Sequence, residues 1–379
     1  MSKTYCNFPF RGMFISNIGM GLCCINRPYH SMSPKEFWYS TILKTAKKNM
    51  TDNLPVNGCQ ICYNREEQGL LSARNMYQSD KNIPIKDLPI KLDLDFSNFC
   101  NLKCIMCNPR RSSQIAKEQD PGIENNGIMT ISQEALDETC ELSHQLEHLT
   151  IQGGEPSIMP EFIYYLEYLK KNNLIGNINL QVITNLTNIN GKFYEHLSDF
   201  KSVRLSVSID AFGKTNDYIR FPSKFAQIEK NLKALANYPS NVNVEILNSI
   251  QNLSLVNYSE FLNWCANIEK IYADKNKNFH VIAMKVTDPE EFSYLNITEH
   301  LKNKFFSDIS DFFSANPNSL RKTGSLKTEL DLLKRTLKNQ QFNSKLNNKL
   351  INKISDIDTK RQIKITNFIP NFEYYFQKP

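Results

Sequence analysis

The chain has 379 residues, 41% of them hydrophobic and 22% charged, an ordinary globular usage that excludes wholesale disorder and fibrous folds and allows two or three domains. No apolar run approaches the roughly 18–20 residues that span a bilayer. The N-terminal stretch is broken by Arg11, Gly12, Asn17, Gly19 and Gly21 and lacks the apolar block of a secretory signal. The expected setting is a reducing cytoplasm without a membrane partner, where the ten cysteines point to metal ligation or catalysis before disulfides.

Residues 1–85 are Cys-rich and weakly periodic, and are expected to form a small module. Its cysteines are Cys6, Cys23, Cys24, Cys59 and Cys62. Cys59-Gln-Ile-Cys62 has the spacing of a metal hook, and Cys6 with one of the adjacent pair completes a four-thiolate site. Neighbouring side chains on an extended backbone point apart, so one ligand is expected from Cys23 and Cys24. A module with so few periodic apolar segments needs a staple, and zinc or an iron–sulfur cluster would supply one.

Residues 88–315 alternate strand and helix. Strands are predicted over Leu92–Phe96, Leu149–Gln152, Ile178–Thr184, Val203–Ile209, Val242–Leu247 and His280–Val286. Helices are predicted over Gln133–Leu146 (with Ser132 as N-cap), Pro160–Lys171, Gly191–Phe200, Lys224–Ala236, Tyr258–Asn267 and Thr298–Phe313. Six βα units in succession imply parallel strands covered by helices. Cys140 and Cys265 fall in helical runs and read as buried thiols.

Residues 316–379 read as a helical extension. Between Asn318 and Lys364, twelve Lys and Arg oppose four acids, so this segment carries +8 and the remainder −2 of the net +6. Leu326, Leu330, Leu333 and Leu337, then Leu346, Leu350 and Ile354, recur at helical spacing. The basic residues therefore read as solvated helix faces. No aromatics interleave with them as a base-stacking surface requires, so a nucleic-acid partner is not expected.

The sharpest motif is Cys100-Asn-Leu-Lys-Cys104-Ile-Met-Cys107, directly after the first predicted core strand. Structural zinc takes four ligands, and this loop supplies three. Three thiolates on one loop suit a [4Fe–4S] cluster with an iron left open for another ligand.

This spacing after the first strand of a βα array resembles the radical S-adenosylmethionine (SAM) superfamily. Gly153-Gly154-Glu155-Pro156 follows the second core strand, where the family's Gly-Gly-Glu-Pro motif holds the SAM amino group. Thr184-Asn185 ends the third strand. Ser206, Ser208 and Asp210 end the fourth, where the resemblance implies ribose and carboxylate contacts. Arg220 matches an arginine that pairs with the SAM carboxylate, and Gln251 follows the fifth strand near the expected adenine pocket. Met106 stands where an aromatic residue is usual, and its thioether can fill the same space. Residues 1–85 resemble the half-size SPASM, or twitch, subdomain, which implies a second, auxiliary cluster, expected to be [4Fe–4S].

The resulting expectation is an α/β fold: a partial (β/α)6 barrel of parallel strands with a small N-terminal Cys-rich iron–sulfur module and a helical C-terminal extension. The resemblance implies reductive SAM cleavage to a 5′-deoxyadenosyl radical. It also implies a peptide or small-molecule substrate and an electron donor such as flavodoxin or ferredoxin. The competing reading is a non-catalytic zinc- or iron–sulfur-binding module whose basic tail docks nucleic acid.

Overall fold

The structure, a computed structural model, describes residues 4–26, 30–67, 69, 72–77, 85–320 and 325–376; Arg321 and Lys322 of the basic segment lie outside them. Its strands are β1 (Gly12–Ser16), β2 (Gly19–Gly21), β3 (Lys91–Asp95), β4 (His148–Ile151), β5 (Asn179–Thr184), β6 (Ser202–Ser208), β7 (Val242–Ile250) and β8 (Phe279–Lys285). They form one eight-stranded sheet in the order β2-β1-β3-β4-β5-β6-β7-β8, with β2 and β8 at its two ends, so the sheet is not closed. β3 to β8 are the six strands expected from the sequence, each within three residues of its predicted ends. The β1–β2 hairpin is an addition from the N-terminal segment. β1 runs parallel to β3 with Phe14 opposite Asp93, and antiparallel to β2. All five of its residues are buried, so it shows no polar alternation by which to recognise it.

Alternation does mark the other strands. Leu92 and Leu94, Leu149 and Ile151, and Leu180 and Val182 are buried apolar positions. On the opposite face, register aligns Phe14, Asp93, Thr150 and Gln181 in one row. Parallel sheets usually carry apolar residues on both faces because helices cover both. Here that face is polar from Asp93 to Gln181, with Phe14 buried at its β1 end.

The chain divides into two compact units: residues 1–100, 127–182 and 191–203, and residues 101–126, 183–190 and 204–379. In the first, Ser132 accepts a hydrogen bond from Ala135 N at 3.2 Å and caps helix Gln133–Leu142. Helix Pro160–Lys171 starts on its proline and buries Phe162, Tyr165, Leu166 and Leu169. The helix expected over Gly191–Phe200 is instead Lys192–Glu195 followed by a 3₁₀ turn, Leu197–Asp199. Tyr194, Leu197 and Phe200 are buried at three-residue spacing, which a 3₁₀ turn eclipses onto one side.

In the second unit, helices Phe225–Leu235 and Glu299–Ala315 match the sequence expectation closely, while the helix expected over Tyr258–Asn267 continues to Ala273. Cys265 is fully buried, as is Cys140 in the first unit apart from a trace. Helices Ser325–Lys338 and Ser344–Arg361 form the extension. Leu326, Leu330, Leu333, Leu337 and Leu350 are completely buried and Ile354 nearly so, whereas Leu346 is only half-buried. The leucine spacing is therefore a packing seam, and the lysines occupy the remaining faces. Among the described residues no helix is long and apolar enough to cross a membrane.

Candidate active site

The cysteine motif occupies the loop between β3 and helix Ser113–Gln119. Its turn is tight: Cys107 N donates to Cys104 O at 2.9 Å. Within the second unit, the loop backbone is pinned to the residues around Arg220. Lys103 N donates to Phe221 O at 2.6 Å and Ile105 N to Ile219 O at 2.9 Å. This pinning presents the Arg220 guanidinium to Cys104 Sγ, with Nη1 at 3.9 Å. Burial pushes the Cys104 thiol up to about 12, against the pull of Arg220 and Arg361. Burial likewise raises Cys107, against the Asn108 backbone and Arg220.

Arg220 is held by Asp210, just past the end of β6. The two form a buried ion pair: Nη2 donates to Oδ1 at 3.0 Å and Nε lies 2.8 Å from Oδ2, with Asp210 fully buried. Burial alone would lower the Arg220 pKa; Asp210 and Cys104 outweigh it and hold the guanidinium above the ordinary arginine value. Asp210 is itself fixed, accepting from Ser249 N at 3.0 Å. Gln251, past the end of β7, is fully buried and directs Nε2 at Met106 Sδ, 3.9 Å away. Its Oε1 is a buried acceptor without a hydrogen-bond donor, a state that normally signals a missing partner.

Other predicted residues hold their surroundings in shape. Ser206 Oγ donates to buried Glu245 at 2.6 Å. Asn185 Nδ2 donates to Asn101 Oδ1 at 2.8 Å, and its Oδ1 accepts from Thr187 N. Thr184 Oγ1 accepts from Leu186 N at 3.1 Å. Ser208 ends β6, partly exposed.

In the first unit, Cys100 is buried and Gly153-Gly154-Glu155 follows β4. Gly153 has φ +123°, a region that favours glycine, and a Cβ there would lie 2.4 Å from Asp95 Oδ1. A Cβ on Gly154 would meet Phe99 O at 2.1 Å. Gly154 N donates to Ser97 O and Glu155 N to Phe99 O, at 2.9 and 2.8 Å. The glycines thus let this turn cross the start of the cysteine loop in close contact. Glu155 is buried, and its Oε1 accepts from Ser157 N and Oγ, capping the turn that starts at Pro156.

The N-terminal cysteines also lie in the first unit. Cys62 N donates to Cys59 O at 3.0 Å where helix Gln60–Glu67 begins. Burial pushes the Cys6 thiol up to about 12, reinforced by Cys59 and Cys62 and opposed by Arg74. Burial raises Cys23 strongly, with Cys24 and Cys6 adding to it. Cys24 donates to Asp93, whose own carboxyl burial pushes up to about 6. Glu66 and Arg74 form a largely buried ion pair. Arg74 Nη1 also donates to Tyr5 O at 3.0 Å. Charged residues at irregular spacing gave no sign of that contact.

Among the described residues no three Cys, His, Asp or Glu side chains meet at a point that would hold a single metal ion. A cubane cluster does not need that, because each thiolate binds a different iron. The donor set of the core loop, three thiols without an imidazole or carboxylate between them, is the soft set that iron–sulfur clusters take. The orphaned Gln251 acceptor beside Met106 agrees with a further ligand.

Comparison with known proteins finds a family match over part of the chain. The sequence pattern of the radical SAM superfamily matches residues 94–250. The chain is 27% identical over 151 residues to the mycofactocin maturase MftC of Mycobacterium ulcerans (strain Agy99), covering 40% of this chain and 37% of that protein. It is 25% identical over 181 residues to the sporulation killing factor maturation protein SkfB of Bacillus subtilis (strain 168), covering 48% and 40% respectively. The matches thus span about two fifths of these relatives' lengths. Among solved structures, native anSMEcpe with bound AdoMet is similar at 20% identity and a TM-score of 0.40, over 61% of this chain and 63% of that one. Over residues 94–250 the chain carries the pattern of a radical SAM domain, a likeness that implies a [4Fe–4S] cluster and SAM as cofactors.

Proposed function

We propose that this chain is a SAM-cleaving enzyme that modifies a peptide or protein by hydrogen abstraction. Cys100, Cys104 and Cys107 are the cluster ligands in this reading. The observation that carries it is the three-cysteine loop after β3 inside a segment that matches the radical SAM pattern. When bound, the cluster and SAM supply one-electron reductive carbon–sulfur cleavage, giving methionine and a 5′-deoxyadenosyl radical.

The protein's part is binding, orientation and charge. Arg220 offers an N–H to the Cys104 sulfur, and hydrogen bonds of that kind tune cluster potential. Asp210 keeps the guanidinium aimed. Gln251 offers a buried acceptor to an N–H donor, and Met106 a soft apolar contact, which together suit a nucleobase edge and face. Gly153 and Gly154 let the turn after β4 pack directly on Asp95 and Phe99 at the start of the cysteine loop. Glu155, Thr184, Asn185, Ser206 and Ser208 complete the SAM-binding set in this reading. The peptide assignment rests on the two curated relatives, both named for maturing another product. Cys6, Cys59, Cys62 and one of Cys23 and Cys24 would hold an auxiliary [4Fe–4S] cluster, and a flavodoxin or ferredoxin would supply the electron.

The test is anaerobic reconstitution followed by reduction in the presence of SAM. Wild type should form 5′-deoxyadenosine; Cys104→Ala should form none while keeping its circular dichroism spectrum. A full yield from the variant would overturn the assignment.

A further inference from the structure

Helix Ser344–Arg361 of the C-terminal extension ends beside the cysteine loop. Arg361, the last residue of helix Ser344–Arg361, has a side chain only 2% exposed. It makes a bidentate pair with Glu118, Nε to Oε1 at 3.0 Å and Nη2 to Oε2 at 2.9 Å. Glu118 lies on helix Ser113–Gln119, the first element after the cysteines. The same carboxylate takes Lys103 Nζ at 3.2 Å, and Lys103 directly precedes Cys104. Arg361 also sits 5.3 Å from the Phe221 ring centroid, and Phe221 O is the acceptor for Lys103 N. One helical turn earlier, Asp358 Oδ1 accepts from the buried Tyr218 hydroxyl at 2.8 Å. Its Oδ2 accepts from Ile365 N at 2.8 Å, fixing the chain beyond the helix. Ser112 Oγ donates to Leu102 O at 2.7 Å and closes the loop on itself.

These contacts form a closed circuit. The last turn of the helix grips the exit of the cysteine loop through Glu118, and the segment that pins its backbone through Phe221 and Tyr218. An exposed ion pair contributes little, but this pair is bidentate, desolvated on the arginine side and stacked on an aromatic ring. A segment without helix or strand between Asn101 and Ser112 is otherwise prone to local unfolding.

We propose that Asp358 and Arg361 are positioning residues: they hold the cysteine loop in its ligand-ready shape before any cluster is present. Their contribution to cluster loading rests on the radical SAM reading; the ordering of the loop does not.

Hydrogen–deuterium exchange of the cluster-free full chain separates the two. Arg361→Ala should raise exchange in residues 101–112 on the order of tenfold, through easier local opening. Exchange in helix Tyr258–Ala273 should stay at its wild-type rate, and iron retained after reconstitution should fall. The charge swap Glu118→Arg with Arg361→Glu should restore much of the protection. Tyr218→Phe, which deletes only the hydroxyl contact, should raise exchange less and in the same segment. Unchanged exchange at 101–112 in both Arg361→Ala and Tyr218→Phe would overturn the proposal, as would a rise spread evenly over the second unit. If instead the exchange pattern holds and wild type makes no 5′-deoxyadenosine, the fault lies with the proposed function alone.

Discussion

Gly154→Ala adds one methyl group where the chain has no room for it. The new Cβ would stand 2.1 Å from Phe99 O, 2.5 Å from Phe99 C and 2.7 Å from Asn98 C, all backbone atoms. Real Cβ contacts stay above 3.0 Å, so one segment must move by about 1 Å. Overpacking of this kind costs roughly 1–3 kcal/mol when side chains can yield. Here the obstructing oxygen also accepts the Glu155 N–H, and losing that bond adds about 1 kcal/mol. A total near 3 kcal/mol should lower the apparent Tm of the cluster-free chain by roughly 6–12 °C for a unit of this size. The assay is thermal unfolding by near-ultraviolet circular dichroism, with Gly122→Ala as the control. A Cβ at Gly122 meets only Asp120 Oδ1, at an ordinary 3.6 Å, so that variant should melt with wild type. If Gly154→Ala also melts within a degree of wild type, the claim that glycine is required there for close backbone passage is wrong.

Three further outcomes follow from the buried charges and the thiols. Asp210→Asn leaves the Arg220 guanidinium buried without its counter-charge, a change that costs roughly 3–5 kcal/mol. Denaturant unfolding should show Asp210→Asn with Arg220→Gln recovering part of the loss, and strict additivity would refute the pairing. Burial raises the Glu118 carboxyl, but Arg361 and Lys103 outweigh it and hold it below the usual glutamate value of 4.5. Its stabilisation is therefore complete above that value and disappears as the pH falls through the lower, folded-state value. The stability gap between wild type and Glu118→Gln should narrow on acidification from pH 5 to 3 in urea titrations; a gap independent of pH would contradict the ion pair. Loss of 5′-deoxyadenosine in Cys104→Ala, given above, is the direct test of the core ligands.

β3 to β7 were legible because each alternates buried apolar with polar residues over at least four positions; β8 shows it only over Phe279-His280-Val281 and then runs apolar. Pro160–Lys171 was legible to the residue, from its proline start and amphipathic spacing. β1 was not, since Gly-Met-Phe-Ile-Ser buries every residue and five positions are too few to tell a strand from a buried helical turn. The cysteine and glycine motifs could be placed because they follow strand ends. The partners that fix them could not. Glu118 lies 243 residues before Arg361, and nothing local to either marks the pairing. Asp93 read simply as one position of a strand, although it takes a hydrogen bond from Cys24.

The row Phe14, Asp93, Thr150 and Gln181 gives the first unit's strands a division of labour. Residues pointing one way, such as Leu92 and Ile151, carry the cohesion; of those pointing the other, Phe14 and Asp93 are buried, whereas Thr150 and Gln181 are polar and half-buried and owe little to packing. Evolution can therefore rewrite the hydrophilic side one position at a time, altering what is recognised while the melting temperature hardly moves. A library randomised at Thr150 and Gln181 should yield mostly folded protein, whereas the same diversity at Leu149 and Leu180 should yield mostly aggregate.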